Sequence, residues 1–238
     1  MSKLSVTSKS TAGGKPEMMA WDGDFWGLRV GRATRLDGLA EWAVENTVGL
    51  MCLLIDADKP EEAQKAEEQG YRFMDVRVTL ERRTSVAACR SRLARVEDTA
   101  RLRAIARTAF PVTRFYADPS LDNERCDDLY EEWTRSLCAG AADIVLVAER
   151  DKQPVGYVTV NIDGEKSEIG LIAVACDYRG QGVGHELVQS ALDWAYVRDA
   201  QTMSVVTQGR NVGALRTFEG CGFRIVNTSL WFHRRYQT

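Results

Sequence analysis

Only two histidines, His185 and His233, occur in the 238 residues, with five prolines and six cysteines. The cysteines (Cys52, Cys89, Cys126, Cys138, Cys176 and Cys221) form no C-x-x-C pair. A zinc site built from Cys and His therefore has no suitable spacing, and no metal is expected. Nor does any local feature single out a cysteine as a catalytic thiolate, so the six read as small apolar fillers in a reducing compartment. No apolar run approaches the roughly 18 residues of a membrane span. The start, Met1-Ser2-Lys3-Leu4-Ser5, lacks the apolar core of a secretory signal, so the expected address is cytoplasmic, with no membrane partner. The net charge of −3 argues against a chain that coats nucleic acid and leaves small anionic ligands open.

What is present is ordinary for a folded α/β chain: 45% hydrophobic and 27% charged residues. Residues 1–17 carry no apolar period and read as a disordered tail. The aromatic stretch Trp21 to Trp26 reads as a loop before a short strand, its rings serving as core rather than as a ligand platform. A helix over 36–48, an apolar strand Leu50 to Ile55, a helix from Pro60 to Gln69 and a strand from Tyr71 to Leu80 make an incomplete α/β unit, residues 18–84. Residues 85–238 hold a fuller pattern. A helix runs from Val96 to Ala109, a loop covers 111–122, and a second helix covers Cys126 to Ala139. Strands follow at Ile144 to Ala148, Val155 to Val160 and Glu168 to Ala175. After a glycine turn come a helix from His185 to about Arg198, a strand Met203 to Thr207, a helix Val212 to Glu219 and a last strand from Phe223 to Tyr236. Both halves contain a helix that ends at Gly then aromatic: Gly70-Tyr71 and Gly222-Phe223.

The richest segment is the apolar strand that runs into Arg179-Gly180-Gln181-Gly182-Val183-Gly184 and then into a helix. Glycines let backbone N–H groups converge and let a ligand approach closely, and a helix N-terminus adds positive potential. The fitting guest is a pyrophosphate. The spacing G-x-G-x-G, late in the chain, is not the dinucleotide fingerprint, and no Gly-Lys-Ser/Thr follows as in a P-loop. Asn211, before the next helix, has the ordinary reading of an N-cap.

Leu171-x-Ala173-Val174, Tyr178-Arg179-Gly180-x-Gly182-Val183-Gly184, Asn211-x-x-Ala214 and Gly222-Phe223 together resemble the GNAT superfamily of N-acetyltransferases, over roughly residues 92–235. The resemblance implies a mixed α/β sheet with flanking helices and acetyl-CoA as donor. It also implies that Ile172, Ala173 and Val174 pair with the pantetheine arm. Arg179 to Gly184 would cradle the pyrophosphate, Asn211 would reach the cofactor, and the backbone N–H near Val174 would face the oxyanion. Trp21-Asp22-x-x-Phe25-Trp26-Gly27, Gly70 to Asp75, Thr113-Arg114-Phe115, Leu129 to Trp133 and Leu192 to Tyr196 further resemble the acetyltransferases of nucleotide-linked 4-amino-4,6-dideoxy sugars. Those carry a truncated GNAT-like N-terminal domain. The partner implied is a nucleotide-linked amino sugar, with a homodimer the one protein assembly considered. The alternatives are another small amine or a protein amine as acceptor, or a non-catalytic module that only binds acetyl-CoA.

Acetyl transfer to an amine needs a base, an oxyanion donor and a route for the leaving thiolate. Asp75, where the sugar enzymes place a carboxylate, is the first choice of base, and Glu168 the second; the bland reading of each is a solvated charge at a strand end. Many family members carry Tyr where this chain has Phe218, which has no proton to give. Tyr116, Tyr130, Cys221 or water could replace it, or the thiolate could leave unaided. For acceptor binding, Arg114, Tyr116 and Tyr130 are the candidates. From Arg82 to Arg114, nine arginines face only Glu97 and Asp98, while Ala117 to Glu132 holds seven acids and one arginine. Solvated helix faces are the better reading for most of these charges.

Overall fold

The computed structural model describes residues 14–86 and 89–236. Most of the expected tail, residues 1–13, lies outside the described residues, and Glu17 already belongs to a strand. The N-terminal half runs β1 (Glu17–Met18), α1 (Ala20–Trp26), β2 (Val30–Ala33), α2 (Leu39–Glu45), β3 (Leu50–Asp56), α3 (Pro60–Glu68) and β4 (Arg72–Arg83). It continues through β5 (Arg92–Leu93), α4 (Thr99–Ala109), α5 (Arg114–Ala117), α6 (Asn123–Ser136), β6 (Ile144–Arg150), β7 (Gln153–Asp163) and β8 (Lys166–Val174). Then come α7 (Val183–Tyr196), β9 (Thr202–Gln208), α8 (Val212–Gly220) and β10 (Arg224–Arg235).

Two expectations are corrected. The aromatic stretch before β2 is a helix, α1, not a loop. Trp21 and Phe25, one turn apart, stack at 5.7 Å, and Trp21 also meets Trp133 at 5.6 Å, so the rings bury themselves only if the backbone coils. Gly27, at φ 67°, ends it. The loop over 111–122 contains the single helical turn α5, which buries Phe115.

The ten strands of the described residues form one sheet in the order β1-β2-β3-β10-β4-β9-β8-β7-β6-β5. Its centre is interleaved. β10 lies between β3 and β4, and β4 lies between β9 and β10. The parallel pair β2/β3 on one side answers the parallel pair β8/β9 on the other. Thus the units β2-α2-β3-α3-β4 and β8-α7-β9-α8-β10 are related by an approximate two-fold, and each lends its last strand to the other. Gly70 and Gly222, at φ 82° and 87°, turn each chain from helix into that lent strand. The buried aromatics Tyr71 and Phe223 lock the turns.

One sheet face carries α1 and α4 to α6 over a core that includes Leu102, Leu129, Trp133 and Trp231. On the other, α7 and α8 cover Leu80, Val158 and Val205, and α2 and α3 cover Met51, Leu53 and Phe232. The charge runs around α4 and α6 answer one another across their contact: Arg107 meets Asp128 at 2.6 Å and Glu131 at 3.5 Å, and Arg103 meets Glu131 at 3.7 Å. The solvated-face reading of those arginines holds, with acids as their neighbours. Among the described residues, no helix is long and apolar enough to cross a membrane.

Candidate active site

β8 and β9 pair only from Lys166 to Ile169 against Thr202 to Val205. Beyond that point the two strands part. The break has a local cause. A bulge between Val158 and Val160 sets Thr159 of β7 against two residues of β8, and Thr159 Oγ1 accepts the Leu171 N–H at 2.8 Å. Gly170 is required there, since a Cβ would stand 2.8 Å from Thr159 Oγ1.

The parting leaves one edge of β8 open. Ala175 N–H donates to Val155 O of the β7 segment at 2.8 Å. Alternation along a strand turns Ala173 the same way and leaves the N–H and C=O of Ile172 and Val174 facing the gap. The Arg179 guanidinium lies along that edge, donating to Val174 O at 3.1 Å and to Thr108 O at 3.3 Å. Gly180 and Gly182 have φ of 74° and 79°, and nothing stands within 4 Å of where their Cβ atoms would be. Gly182 is the N-cap of α7, and no side chain caps that helix. The first-turn N–H groups of a 14-residue helix thus point outward from a glycine cradle. Gln181 closes the turn by donating to Asp177 O at 2.8 Å. Gly156 lets α7 sit tightly on the sheet, because a Cβ there would meet Leu187 at 3.1 Å. Asn211 caps α8 through Ala214 N–H at 3.2 Å, and it lines the cleft. An open strand edge leading to an uncapped helix fits a pantetheine arm followed by a pyrophosphate.

The cleft between the parted strands holds about 140 Å³. Across it from β8 stands Asp75 of β4, 5% exposed. Burial pushes the Asp75 carboxyl above the usual carboxylate range, and the Arg210 guanidinium, 3.7 Å away, and the Val76 N–H, 2.9 Å away, offset part of that. Tyr130 of α6 lines the same cleft, stacked on Phe110 at 4.5 Å, and burial raises its hydroxyl well above the ordinary range. The Arg114 guanidinium is clamped between the Phe115 and Trp231 rings at 4.2 Å from each, and its Nε–H is buried without a hydrogen-bond partner among the described residues.

Other candidates are not brought to the cleft wall. Tyr116 is absent from the lining, and its hydroxyl donates to Asp127. Glu168 sits one residue outside, opposite Asn161 and Ser204, and its charge acts on Arg77. Cys221 is buried away from the cleft, with its thiol pushed up by burial. Phe218 does line the cleft, 2% exposed. Sequence reasoning missed Arg77, Thr207, Gln208 and Trp231 in the wall, which come from three different strands. It also missed a buried pair: His233 Nδ1 lies 2.7 Å from Asp118 Oδ2, with Cys52 directly opposite His233 across β3. Burial alone would raise the Asp118 carboxyl, but hydrogen bonds from His233 and Ser120 outweigh it and hold it at about 2. Burial opposes the charge on His233, yet Cys52 and Asp118 raise its pKa above the ordinary histidine value.

A parallel pair that parts, an open strand edge, a glycine cradle on a long helix and a buried carboxylate across the gap define a transferase of acyl groups carried on coenzyme A. The chain belongs to the acetyltransferase (GNAT) family, whose family model matches residues 100–223. It is an acetyl-CoA-dependent N-acetyltransferase. It is similar to the dTDP-fucosamine acetyltransferase of Escherichia coli O6:H1, 28% identical over 232 residues that cover 92% of this chain and 97% of that protein. It is also similar to the spore coat polysaccharide biosynthesis protein SpsD of Bacillus subtilis, 26% identical over 136 residues, 57% of this chain and 47% of SpsD. In fold it resembles a GCN5-related N-acetyltransferase from Sphaerobacter thermophilus, with a TM-score of 0.63 at 15% identity, covering 92% of this chain and 76% of that one. Among the described residues, no group of three or more His, Cys, Asp or Glu could hold a metal ion.

Proposed function

We propose that the chain transfers the acetyl group of acetyl-CoA to the amino group of a nucleotide-linked 4-amino-4,6-dideoxy sugar. The observation that carries this reading is Asp75. A carboxylate on a strand lent by the N-terminal half lines the same cleft as the open edge of β8, and the similarity to the dTDP-fucosamine enzyme runs through both halves.

When bound, acetyl-CoA supplies the acyl thioester. Ile172 and Val174 hold the pantetheine by strand-like pairing, and the N–H groups from Gly180 to Gly184, with the α7 dipole, hold the pyrophosphate. The acceptor arrives as an ammonium ion. Asp75 takes its proton, directly or through a water. A carboxyl held above its usual range is a better base for this than a solvated one. As the nitrogen lone pair forms the new C–N bond, negative charge grows on the acyl oxygen, and the Val174 N–H at the open edge is the donor we assign to it. The C–S bond then breaks, the electron pair leaves on sulfur, and a second proton leaves the nitrogen for that thiolate or for water, giving the neutral amide. A thiol of pKa about 8.5 leaves without obligatory protonation, so Phe218 does not bar turnover. If a proton is given, Tyr130 is the hydroxyl that the cleft wall offers. Arg114 lies at the acceptor end.

The test is thiol release from acetyl-CoA with a panel of dTDP- and UDP-linked amino sugars. Release with a 4-amino-4,6-dideoxy sugar, and not with the hydroxyl parent, is the expected result. Release only with other amines overturns the acceptor. Protection of the fold by acetyl-CoA with no release on any amine overturns catalysis on the panel.

A further inference from the structure

A second, smaller cavity lies beyond Arg114, on the N-terminal side of the Trp231 ring. Under the approximate two-fold it is the counterpart of the acetyl-CoA cleft: β2, β3 and β10 line it where β8, β9 and β4 line the other. It does not repeat the cofactor site. The helix that follows β2 is the seven-residue α2, with Glu41 in its first turn, and it offers nothing to a pyrophosphate.

Three of its polar groups lack a hydrogen-bond partner among the described residues. Asp22 is 8% exposed, and the guanidinium charges of Arg114 and Arg32 act on it without a hydrogen bond to its carboxylate among the described residues. The Trp26 indole N–H and the Arg114 Nε–H are both buried without a hydrogen-bond partner among the described residues. Arg32, 7% exposed and bridged to Glu17 at 2.7 Å, completes the rim. Donors and an acceptor without hydrogen bonds around one space are costly unless a ligand satisfies them. The mixture narrows the ligand. A phosphate would meet the Asp22 carboxylate, and an ammonium would meet two guanidinium groups. A hydroxyl both donates and accepts, so it suits all three. The Trp133 and Trp231 rings line both this cavity and the larger cleft and supply the apolar faces on which a sugar ring spanning the two rests. The free space is about 30 Å³. A water-sized group needs about 10–15 Å³, so there is room for roughly two hydroxyls and not for a nucleotide.

Resting on the function proposed above, we infer that this cavity takes the vicinal diol edge of the acceptor's pyranose, with Asp22, the Trp26 N–H and Arg114 as its hydrogen-bond partners. A 4-amino-4,6-dideoxyhexose linked through its anomeric carbon has just two free hydroxyls, on carbons 2 and 3, adjacent to each other. Seating them beyond Arg114 leaves the amine on carbon 4 at the Asp75 side.

The experiment compares a dTDP-linked 4-amino-4,6-dideoxyhexose with its 3-deoxy analogue on the wild type, Asp22→Asn and Trp26→Phe. Thiol release gives kcat and KM, tryptophan fluorescence gives affinity, and thermal unfolding reports folding. The wild type should prefer the full sugar by at least ~10-fold, since the analogue leaves buried polar groups unpaired. Asp22→Asn should lose most of that preference through KM, with kcat held and the melting temperature little changed, because the burial cost of the carboxylate and the attraction of Arg114 and Arg32 to it are removed together. Trp26→Phe should lose part of it. Equal use of the two sugars by the wild type, or full preference kept in both variants, overturns the inference and leaves the proposed function standing. Neither turnover nor a fluorescence change with either sugar overturns the proposed function, and this inference with it.

Discussion

The two parallel-strand units at the centre of the sheet share a frame and differ in what they hold. After β8 the chain turns through Gly180 and Gly182 into a helix of 14 residues; after β2 it turns through Gly38, also left-handed at φ 66°, into one of seven. Both helices begin on a glycine with no side-chain cap. Only the longer adds further glycines and an open strand edge, so only it can hold an extended anionic ligand. The shorter unit turns side chains inward instead: Arg32, Cys52 and, from α1, Asp22. A backbone frame can therefore serve either as a ligand cradle or as a mount for side chains, and helix length with turn composition decides which.

The comparison breaks most visibly at Asp75, the residue that the N-terminal unit contributes to the cleft of the other. Asp75→Asn should lower kcat by about 10²–10³-fold in the thiol-release assay with the KM for acetyl-CoA unchanged. An intact kcat would mean that the lent strand brings shape and no chemistry. Next in size is the clamp on the strand lent the other way. Asp118→Asn removes the carboxylate charge that balances the buried His233 and should cost about 3 kcal/mol. Thermal unfolding should show this as a fall of roughly 6–12 °C. The sign with pH follows from the two shifts. Asp118, held at about 2, contributes above its unfolded value near 3.8 and loses that as pH falls through about 2. His233, raised above 6.5, contributes fully below that value and loses it as pH rises through its folded pKa. The gap between wild type and variant should thus be widest near pH 5 and narrow as pH rises through the raised His233 value.

The matched glycines sharpen the comparison. Gly182→Val should raise the KM for acetyl-CoA about tenfold, since a β-branched residue at positive φ is strained and crowds the cradle. Gly38→Val imposes the same backbone strain in the other unit and should lower the melting temperature without moving that KM. Equal KM effects would erase the distinction. The smallest effect is at Arg210. Its cation stabilises ionised Asp75, so Arg210→Gln should move the acid limb of the kcat/KM profile upward by a fraction of a pH unit.

How much of this could be read in the residues follows the same division. The cradle was legible because backbone donors demand glycine, and glycines at fixed spacing before a helix stand out in a string of letters. The strands β3, β8 and β9 were legible from their apolar runs. The acceptor end was not. Asp75, Arg114, Tyr130 and Trp231 come from β4, α5, α6 and β10, and each has an ordinary neighbourhood in the sequence. The resemblance, not the pattern, pointed to Asp75. Tyr116 looked equivalent to Arg114 two positions away, but one helical turn sends its hydroxyl to Asp127 instead. The aromatic stretch before β2 concealed a helix because the stacking that coils it needs Trp133 of α6. The pair of Asp118 and His233 joins residues 115 positions apart, which no local pattern reports.

The interleaved centre of the sheet has a consequence for the order in which the chain is made. β3 and β4 leave the ribosome with the place between them vacant, and β10, which fills it, is translated roughly 140 residues later. At about 5–20 residues per second, that is on the order of ten seconds or more. Throughout that interval the apolar β3 carries an unpaired edge, the kind of edge that pairs with other chains. The N-terminal half can gather its own helices early, but it closes only when the last strand arrives, and by then the other half is ready to receive β4. The two halves therefore finish folding together, and the cleft that needs both of them appears only at the end.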